Sequence, residues 1–263
     1  MSDVPLFDSL THPTLEGTWI RSAARDNTLA ALEAQMRANN VSWALAVGMK
    51  DVGGYDLDGY ARLVRKSSEK VYPIAYYDFD DGDGPVEIGG KLDAIARVGY
   101  VGIKLHPRFS HIDLASPRLV EVFRQADARK LAVLVCTFLR GAGRGDSHLA
   151  FEPLLAAVPA TCRVVLLHGG DVNLLSMMEL SRSYPNVLLD LSFTICRYEG
   201  SSVDLDIRYL LRTYDRRLCV GSDSPQYGLG DLRRRFDELS TGLDREKVLN
   251  VAHRNLLSFF GER

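Results

Sequence analysis

The sequence predicts an α/β protein, a (β/α)₈ barrel that forms a single domain over residues 1–263. Short β-rich apolar runs alternate with segments of helical periodicity eight times, a pattern typical of parallel sheets with crossover helices. A chain of 263 residues has the length that eight such units require. No Pro/Gly/Ser-rich linker or change in composition divides the chain, so we expect one domain.

The eight predicted strands lie near residues 5–12, 42–49, 71–79, 100–107, 131–138, 163–170, 186–193 and 217–225. The first helix is expected over 26–39, where apolar residues recur at spacings of three and four and Asp26 and Asn27 stand at the N-cap. A later helix begins at Pro117 after Ser116.

Residues 244–259 have the periodicity of a closing helix. An open doubly wound sheet is the alternative architecture, but it rarely contains eight such regular units. The eightfold alternation of strand and helix segments therefore favours the closed barrel.

Composition excludes several classes of function. The net charge of −2 gives no electrostatic footprint for nucleic acid, and no apolar run is long enough to span a bilayer. The N-terminus lacks a secretory pattern, and the four cysteines have no zinc-clip or redox spacing. We expect a cytoplasmic protein with reduced thiols, which acts on a small molecule. The sequence leaves the oligomeric state open between a monomer and a homo-oligomer, although barrels of this kind commonly pair through their outer helices.

Polar side chains gather at the ends of the predicted strands, where barrel active sites lie. Alternation in strand 4 sends Val101, Ile103 and Leu105 towards the helices and leaves Lys104 and His106 in the lumen. The other strand-end candidates are His12, Cys136, His168, Asp190 with Ser192, and Asp223. Because these residues fall at one end of the barrel, we expect a lumenal site built from several of them.

Each of these residues has a structural explanation as well. Cys136 would be a small buried apolar group, and His106 could shape the exit of its strand before Pro107. Lys104 could form an internal ion pair with Asp8 or Asp190 instead of contacting substrate.

Four segments together resemble the amidohydrolase superfamily, specifically its amidohydrolase-related branch of TIM-barrel hydrolases and decarboxylases. They are Phe-Asp-Ser-Leu-Thr-His at 7–12, Gly-Ile-Lys-Leu-His-Pro at 102–107, Leu-His-Gly-Gly at 167–170 and Gly-Ser-Asp-Ser-Pro at 221–225. The last helix, with Asn-Leu-Leu-Ser-Phe at 255–259, is also similar. The resemblance spans nearly the whole chain.

This resemblance implies a divalent metal, most often zinc, in the barrel mouth. Family members usually supply two histidines from an Asp-x-His-x-His pattern on strand 1, a third from strand 5 and an aspartate from strand 8. Here Leu10 replaces the first histidine and Cys136 the third. A thiolate can bind zinc, so His12, Cys136 and Asp223 could form a three-ligand site, or the metal has been lost.

The sequence predicts a hydrolase that acts on a small amide, ester or lactone, or an enzyme that decarboxylates a carboxylic acid. Asp223 would be the general base and His168 the electrophilic partner, as the resemblance implies. Lys104, His106 and Arg108 would bind substrate, the two cations by pairing with a carboxylate. The alternatives are a metal-free lactonase and an inactive barrel that serves as a binding protein.

Three further features follow the strands. The glycine-rich segment 140–146 is a candidate lid after strand 5. Arg197 and Tyr227 are candidate substrate contacts after strands 7 and 8.

Overall fold

Eight parallel strands form the predicted barrel. A computed structural model describes residues 3–20, 24, 26–80, 82–138 and 150–261. The strands are β1 (Leu6–Thr11), β2 (Val41–Val47), β3 (Lys70–Tyr76), β4 (Gly102–Leu105), β5 (Ala132–Cys136), β6 (Val164–Leu167), β7 (Val187–Asp190) and β8 (Leu218–Cys219). Each pairs with the next in chain order, so the predicted fold class is confirmed.

The ring closes between β8 and β1 through backbone hydrogen bonds beyond the short β8 strand. Ser9 N–H donates to the Val220 carbonyl at 3.0 Å, and Asp223 N–H donates to the Leu10 carbonyl at 2.9 Å. His12 N–H reaches the Ser224 carbonyl at 2.8 Å. These bonds fix the ends of the first and last strands beside each other, which brings His12 close to Asp223.

The helices surround the strands. They are α1 (Leu29–Ala38), α2 (Leu57–Val64), α3 (Pro85–Arg97), α4 (Pro107–Ser110), α5 (Pro117–Ala128), α6 (Phe151–Ala157), α7 (Leu174–Arg182), α8 (Thr194–Arg197), α9 (Ser202–Thr213), α10 (Leu229–Ser240), α11 (Arg245–Leu249) and α12 (Asn255–Phe260). Residues Asn250–Arg254 form a π-helical turn that joins α11 to α12. Within the described ranges, no helix has both the length and the apolar character needed to cross a membrane.

Alternate strand residues build two separate apolar cores. Ile103 and Leu105 of β4 join the outer core between sheet and helices, as predicted, whereas Val101 packs against the inner core. In the inner core Phe7 stacks on Tyr72, with 5.4 Å between their ring centroids. The inward-facing residues of the other strands complete this core. The lower lumen is therefore filled with side chains, which leaves the carboxyl ends of the strands for a site.

Three sequence-based boundaries need correction. The N-cap of α1 is Thr28, whose hydroxyl accepts from Ala31 N–H at 3.1 Å, not Asp26 or Asn27. Strand β6 ends at Leu167, directly before His168, and β8 ends at Cys219, well before Asp223. His168 and Asp223 take positive φ values of 67° and 58°. Non-glycine residues rarely adopt that region, and those that do concentrate at functional sites.

Candidate functional site

One open cavity lies at the carboxyl ends of the strands. Its volume is about 170 Å³, below the usual range of drug-sized sites, so its occupant must be small. Seven of the predicted site residues line it, namely His12, Lys104, His106, Arg108, Cys136, His168 and Asp223. Trp19, Phe109, Phe138 and Phe193 give it apolar walls. The sequence-predicted residues are thus neighbours in space, drawn from β1, β4, β5, β6 and β8 or the turns that follow them.

His12 is held by both of its ring nitrogens. Its Nδ1 lies 2.7 Å from the Val47 carbonyl, to which it donates, so Nε2 is left as the acceptor. Lys104 Nζ lies 3.3 Å from that Nε2, and Asp223 Oδ1 lies 3.5 Å from it. Burial, and then the charge of Lys104, lowers the pKa of His12, which keeps the ring neutral.

Lys104 contacts His12 and not the buried carboxylates of Asp8 and Asp190. Asp8 accepts from Ser222 and from the amide of Leu10, while Asp190 accepts from Ser9 and Ser192. Within the described residues, no ion pair joins Lys104 to Asp8 or Asp190, so the internal ion pair considered above does not form. Burial lowers the pKa of Lys104, and the charge of Asp223 opposes that shift.

The donors around His12 do not fit a metal ion. Leu10 contributes no ligand atom, and the Nε2 lone pair of His12 already accepts from the Lys104 ammonium. Cys136, the third expected ligand, contacts His106 and His168 instead. Across the described ranges, no three His, Cys, Asp or Glu side chains are arranged to hold a metal. A cation at His12 would also face the positive charge of Lys104.

Cys136 lies between two imidazoles. Its side chain, 1% exposed at the end of β5, lies 4.0 Å from the Phe138 carbonyl, and its residue pairs with Leu167, next to His168. The imidazoles of His106 and His168 are close enough to act on the thiol by charge and hydrogen bonding. Burial alone would raise the pKa of the thiol, but the charge and hydrogen bond of His106, together with those of His168, bring it well below its usual value. Burial likewise opposes protonation of His168, yet the contact with Cys136 raises the pKa of His168 to about 9.

His168 is oriented from behind by β7. Its Nδ1 lies 3.1 Å from the Ser192 carbonyl and 3.3 Å from the Ser192 hydroxyl, which leaves Nε2 for the cavity. The Asp190 carboxylate accepts from His168 N–H at 3.3 Å and from the Ser192 hydroxyl. Asp190 and Ser192, expected on one face of strand 7, therefore fix the position of the histidine at the site.

Asp223 is the carboxylate that faces the cavity. Its side chain is 19% exposed, in contrast to the fully buried Asp8 and Asp190. Burial by itself would raise the pKa of Asp223. The contact with His12 and the charge of His168 lower this pKa by more than burial raises it, so the net shift is downward. A group that stays ionised at neutral pH and touches solvent can accept a proton from water.

Arg108 and His106 form a second part of the wall with aromatic rings. The Arg108 guanidinium lies over Phe109 at 4.8 Å and over Phe138 at 5.1 Å, and His106 stacks on Phe109 at 3.9 Å. In the described part of the chain, Arg108 Nε and His106 Nδ1 are buried without a hydrogen-bond partner. Such atoms are costly unless a ligand or water meets them, so this wall suits a polar or anionic group.

Sequence reasoning missed the apolar residues of the wall. Trp19 stacks on His12 at 5.1 Å, but its position in a loop gave no signal. Phe193 lies 6.0 Å from His168, and two residues expected to contact substrate pack on it instead: Arg197 at 5.3 Å and Tyr227 at 5.7 Å. Neither lines the cavity. The candidate lid at 140–146 lies outside the described residues.

Comparisons with known proteins agree with the barrel. An uncharacterised TIM-barrel protein from Bordetella bronchiseptica superimposes with a TM-score of 0.80 at 15% identity, over 98% of this chain and 100% of that one. A 5-carboxyvanillate decarboxylase from Novosphingobium aromaticivorans, solved with manganese and 4-hydroxy-3-methoxy-5-nitrobenzoic acid, gives 0.66 at 12% identity over 98% and 96%. A 2,6-dihydroxybenzoate decarboxylase solved with 2,6-dihydroxybenzoate gives 0.66 at 11% over 99% of each chain.

No curated protein matches the chain at the level of sequence. Residues 80–249, more than half of the chain, match the sequence model of the family described as Amidohydrolase. That stretch contains Lys104, Cys136, His168 and Asp223, four of the cavity residues. The chain belongs to the amidohydrolase family and is an enzyme of that type.

Proposed function

We propose that this enzyme hydrolyses a small lactone or activated ester without a bound metal. The observation that carries the proposal is the Lys104 ammonium, which lies 3.3 Å from the nitrogen of His12 that would otherwise bind a metal. A fixed cation at this point can stabilise developing negative charge in a site partly closed to water. Zinc held by His12, Cys136 and Asp223, the other hypothesis from the sequence, requires these contacts to rearrange.

Asp223 is the proposed general base. Its carboxylate is ionised and partly exposed, and it lies beside His12 and across the cavity from His168. It accepts a proton from water as the water attacks the substrate carbonyl, while His168, with its pKa of about 9, donates to the oxyanion. Lactones and activated esters suit this chemistry because their leaving oxygen is expelled more easily than an amine.

Arg108 and His106 are the proposed binding residues for an acidic or strongly polar substituent. Both side chains line a cavity walled by Phe109 and Phe138, and the buried Arg108 Nε and His106 Nδ1 have no hydrogen-bond partner in the described chain. A planar substrate with a carboxylate would pair with the Arg108 guanidinium and pack against the rings. Two of the structural neighbours are decarboxylases of hydroxylated aromatic acids by name, which makes aromatic acids and their lactones the first compounds to test.

The test is a panel of aromatic and aliphatic lactones, nitrophenyl esters, amides and hydroxybenzoates, assayed with the wild type, Asp223→Asn and Asp58→Asn. We expect turnover of lactones or esters, and a loss of about a thousandfold in kcat for Asp223→Asn because the base is removed. Asp58 lies exposed on α2, so its variant serves as the matched control. Release of CO₂ from a hydroxybenzoate with no hydrolysis would establish decarboxylation instead and overturn the proposal.

A further inference from the structure

Cys136 differs from the other three cysteines in its surroundings. Cys162 contacts the Phe123 carbonyl and Cys219 contacts the Leu189 carbonyl, at 3.7 and 3.8 Å, as expected for buried thiols in a core. Cys196 lies in the outer apolar core. Among the four, only Cys136 lines the cavity, and only Cys136 has imidazole partners.

The groups around Cys136 have the arrangement of an activated nucleophile. A nucleophilic thiol needs a base within hydrogen-bond reach, and the base needs a third group that orients it. His168 contacts the thiol, and its Nδ1 is fixed 3.1 Å from the Ser192 carbonyl. Asp190 in turn holds Ser192 and the backbone of His168.

The same cavity contains the other groups that the reaction would need. Lys104, 3% exposed, lines it and can offer its ammonium to an oxyanion formed there. His106 acts on the thiol and has a buried Nδ1 without a partner in the described chain. Asp223 lines the cavity from the turn beyond β8.

We propose that Cys136 is a catalytic nucleophile, with His168 as its acid–base partner, and that hydrolysis proceeds through a thioester on Cys136. This inference rests on the proposed function, because it describes how the same cavity opens an ester or lactone. It assigns Asp223 to the second half of the reaction.

The steps balance without any oxidant, reductant or co-reactant other than water. The sulfur of Cys136 bonds to the carbonyl carbon, and its proton resides on His168 Nε2. The tetrahedral adduct collapses, the carbon–oxygen bond of the ester breaks, and the leaving oxygen takes the proton from His168. Water then attacks the thioester, its proton passes to Asp223, and the carbon–sulfur bond breaks to release the acid. The proton held on Asp223 then passes through water to the Cys136–His168 pair, which restores the thiol.

Alkylation by iodoacetamide tests the nucleophile without any need for a substrate. With the intact protein and peptide mapping by mass spectrometry, we expect Cys136 to be labelled at least about a hundredfold faster than Cys162, and His168→Gln to slow that labelling at least about tenfold. Labelling of Cys136 no faster than Cys162 would overturn the inference, whatever the hydrolysis assays give.

Acylation provides the second test. Wild type and Asp223→Asn are mixed with 4-nitrophenyl acetate and quenched in acid, and the modified peptide is mapped. We expect an acetyl group on Cys136 that accumulates in Asp223→Asn, and a loss of about a thousandfold in kcat/KM for both Cys136→Ala and the near-isosteric Cys136→Ser. Cys162→Ala is the matched control and should retain activity.

The outcomes separate the two proposals. If Cys136→Ser and Cys136→Ala hydrolyse the substrate as the wild type does while Asp223→Asn is inactive, water attacks directly; the nucleophile is then wrong and the proposed function stands. If the wild type hydrolyses no member of the panel but Cys136 is still alkylated selectively, the proposed function fails and the reactive thiol remains.

Discussion

Two layers of polar side chains lie inside this barrel, and they differ in how completely their hydrogen bonds are made. In the lower layer, both oxygens of Asp8 and both oxygens of Asp190 accept hydrogen bonds, from Ser222, Ser9, Ser192 and backbone amides. In the upper layer, His106 Nδ1 and Arg108 Nε are buried without a partner in the described chain.

The difference indicates two tasks. A buried network with every group paired holds strands in register and orients what lies above it, as Asp190 and Ser192 do for His168. A buried group left unpaired lowers stability unless a bound molecule satisfies it, and binding sites tolerate that loss. Substitutions in the upper layer should therefore reduce activity, and substitutions in the lower layer should reduce stability.

The pair His106→Gln and Ser9→Ala tests this contrast, with the largest expected effect. His106→Gln should lower kcat/KM about 10- to 100-fold and the free energy of unfolding by about 1 kcal/mol, because most of the side-chain volume is kept and the ring's Nδ1 makes no hydrogen bond. Ser9→Ala should cost about 1–3 kcal/mol, because it leaves one oxygen of Asp190 with only the weak Cys219 thiol contact, and should change kcat/KM only a fewfold. Urea unfolding and steady-state kinetics on both variants measure it, and the reverse pattern would break the comparison.

A smaller effect concerns the pH dependence of stability. Burial raises the pKa of Asp8 from 3.8 to about 7. The folded state therefore binds this proton more tightly than the unfolded chain does. The resulting stabilisation is complete when the pH is below the unfolded-state pKa of Asp8, and it is lost as the pH rises through the folded-state pKa. Between about pH 5 and about pH 8, the wild type should lose about 2–3 kcal/mol that Asp8→Asn does not lose.

Urea unfolding at the two pH values measures that difference, with Asp58→Asn as the exposed control. Parallel loss of stability in the wild type and in Asp8→Asn would mean that Asp8 is ionised in the folded state throughout this range. The lower layer would then tolerate a buried charge, and its hydrogen bonds would be stronger than we infer.

Much of this could be predicted from the sequence because the barrel repeats one pattern. Period-two alternation placed Lys104 and His106 in the lumen, and strand ends placed His168 and Asp223 at the same mouth. Their backbone was not predictable, since both residues take positive φ values. Aspartate and histidine are enriched in that region, but only a small fraction of them adopt it, so the sequence does not indicate which ones do.

The partners of each side chain could not be predicted either. That Lys104 bonds to His12 and not to Asp190, and that Cys136 meets two imidazoles, depends on contacts across the barrel between residues distant in sequence. The family resemblance implied Cys136 as a substitute metal ligand, because a thiolate can bind zinc. The geometry gives that sulfur different neighbours, and we infer a different role from them.

Metal content tests the central claim most directly. Protein purified without chelator would be analysed by plasma emission, and kcat/KM for a lactone or ester substrate would be measured before and after treatment with EDTA. The account predicts less than about 0.1 metal ion per chain and unchanged kcat/KM, because Lys104 holds the nitrogen of His12 that a metal would need. About one zinc ion per chain, with activity lost on chelation and restored by added zinc, would contradict it.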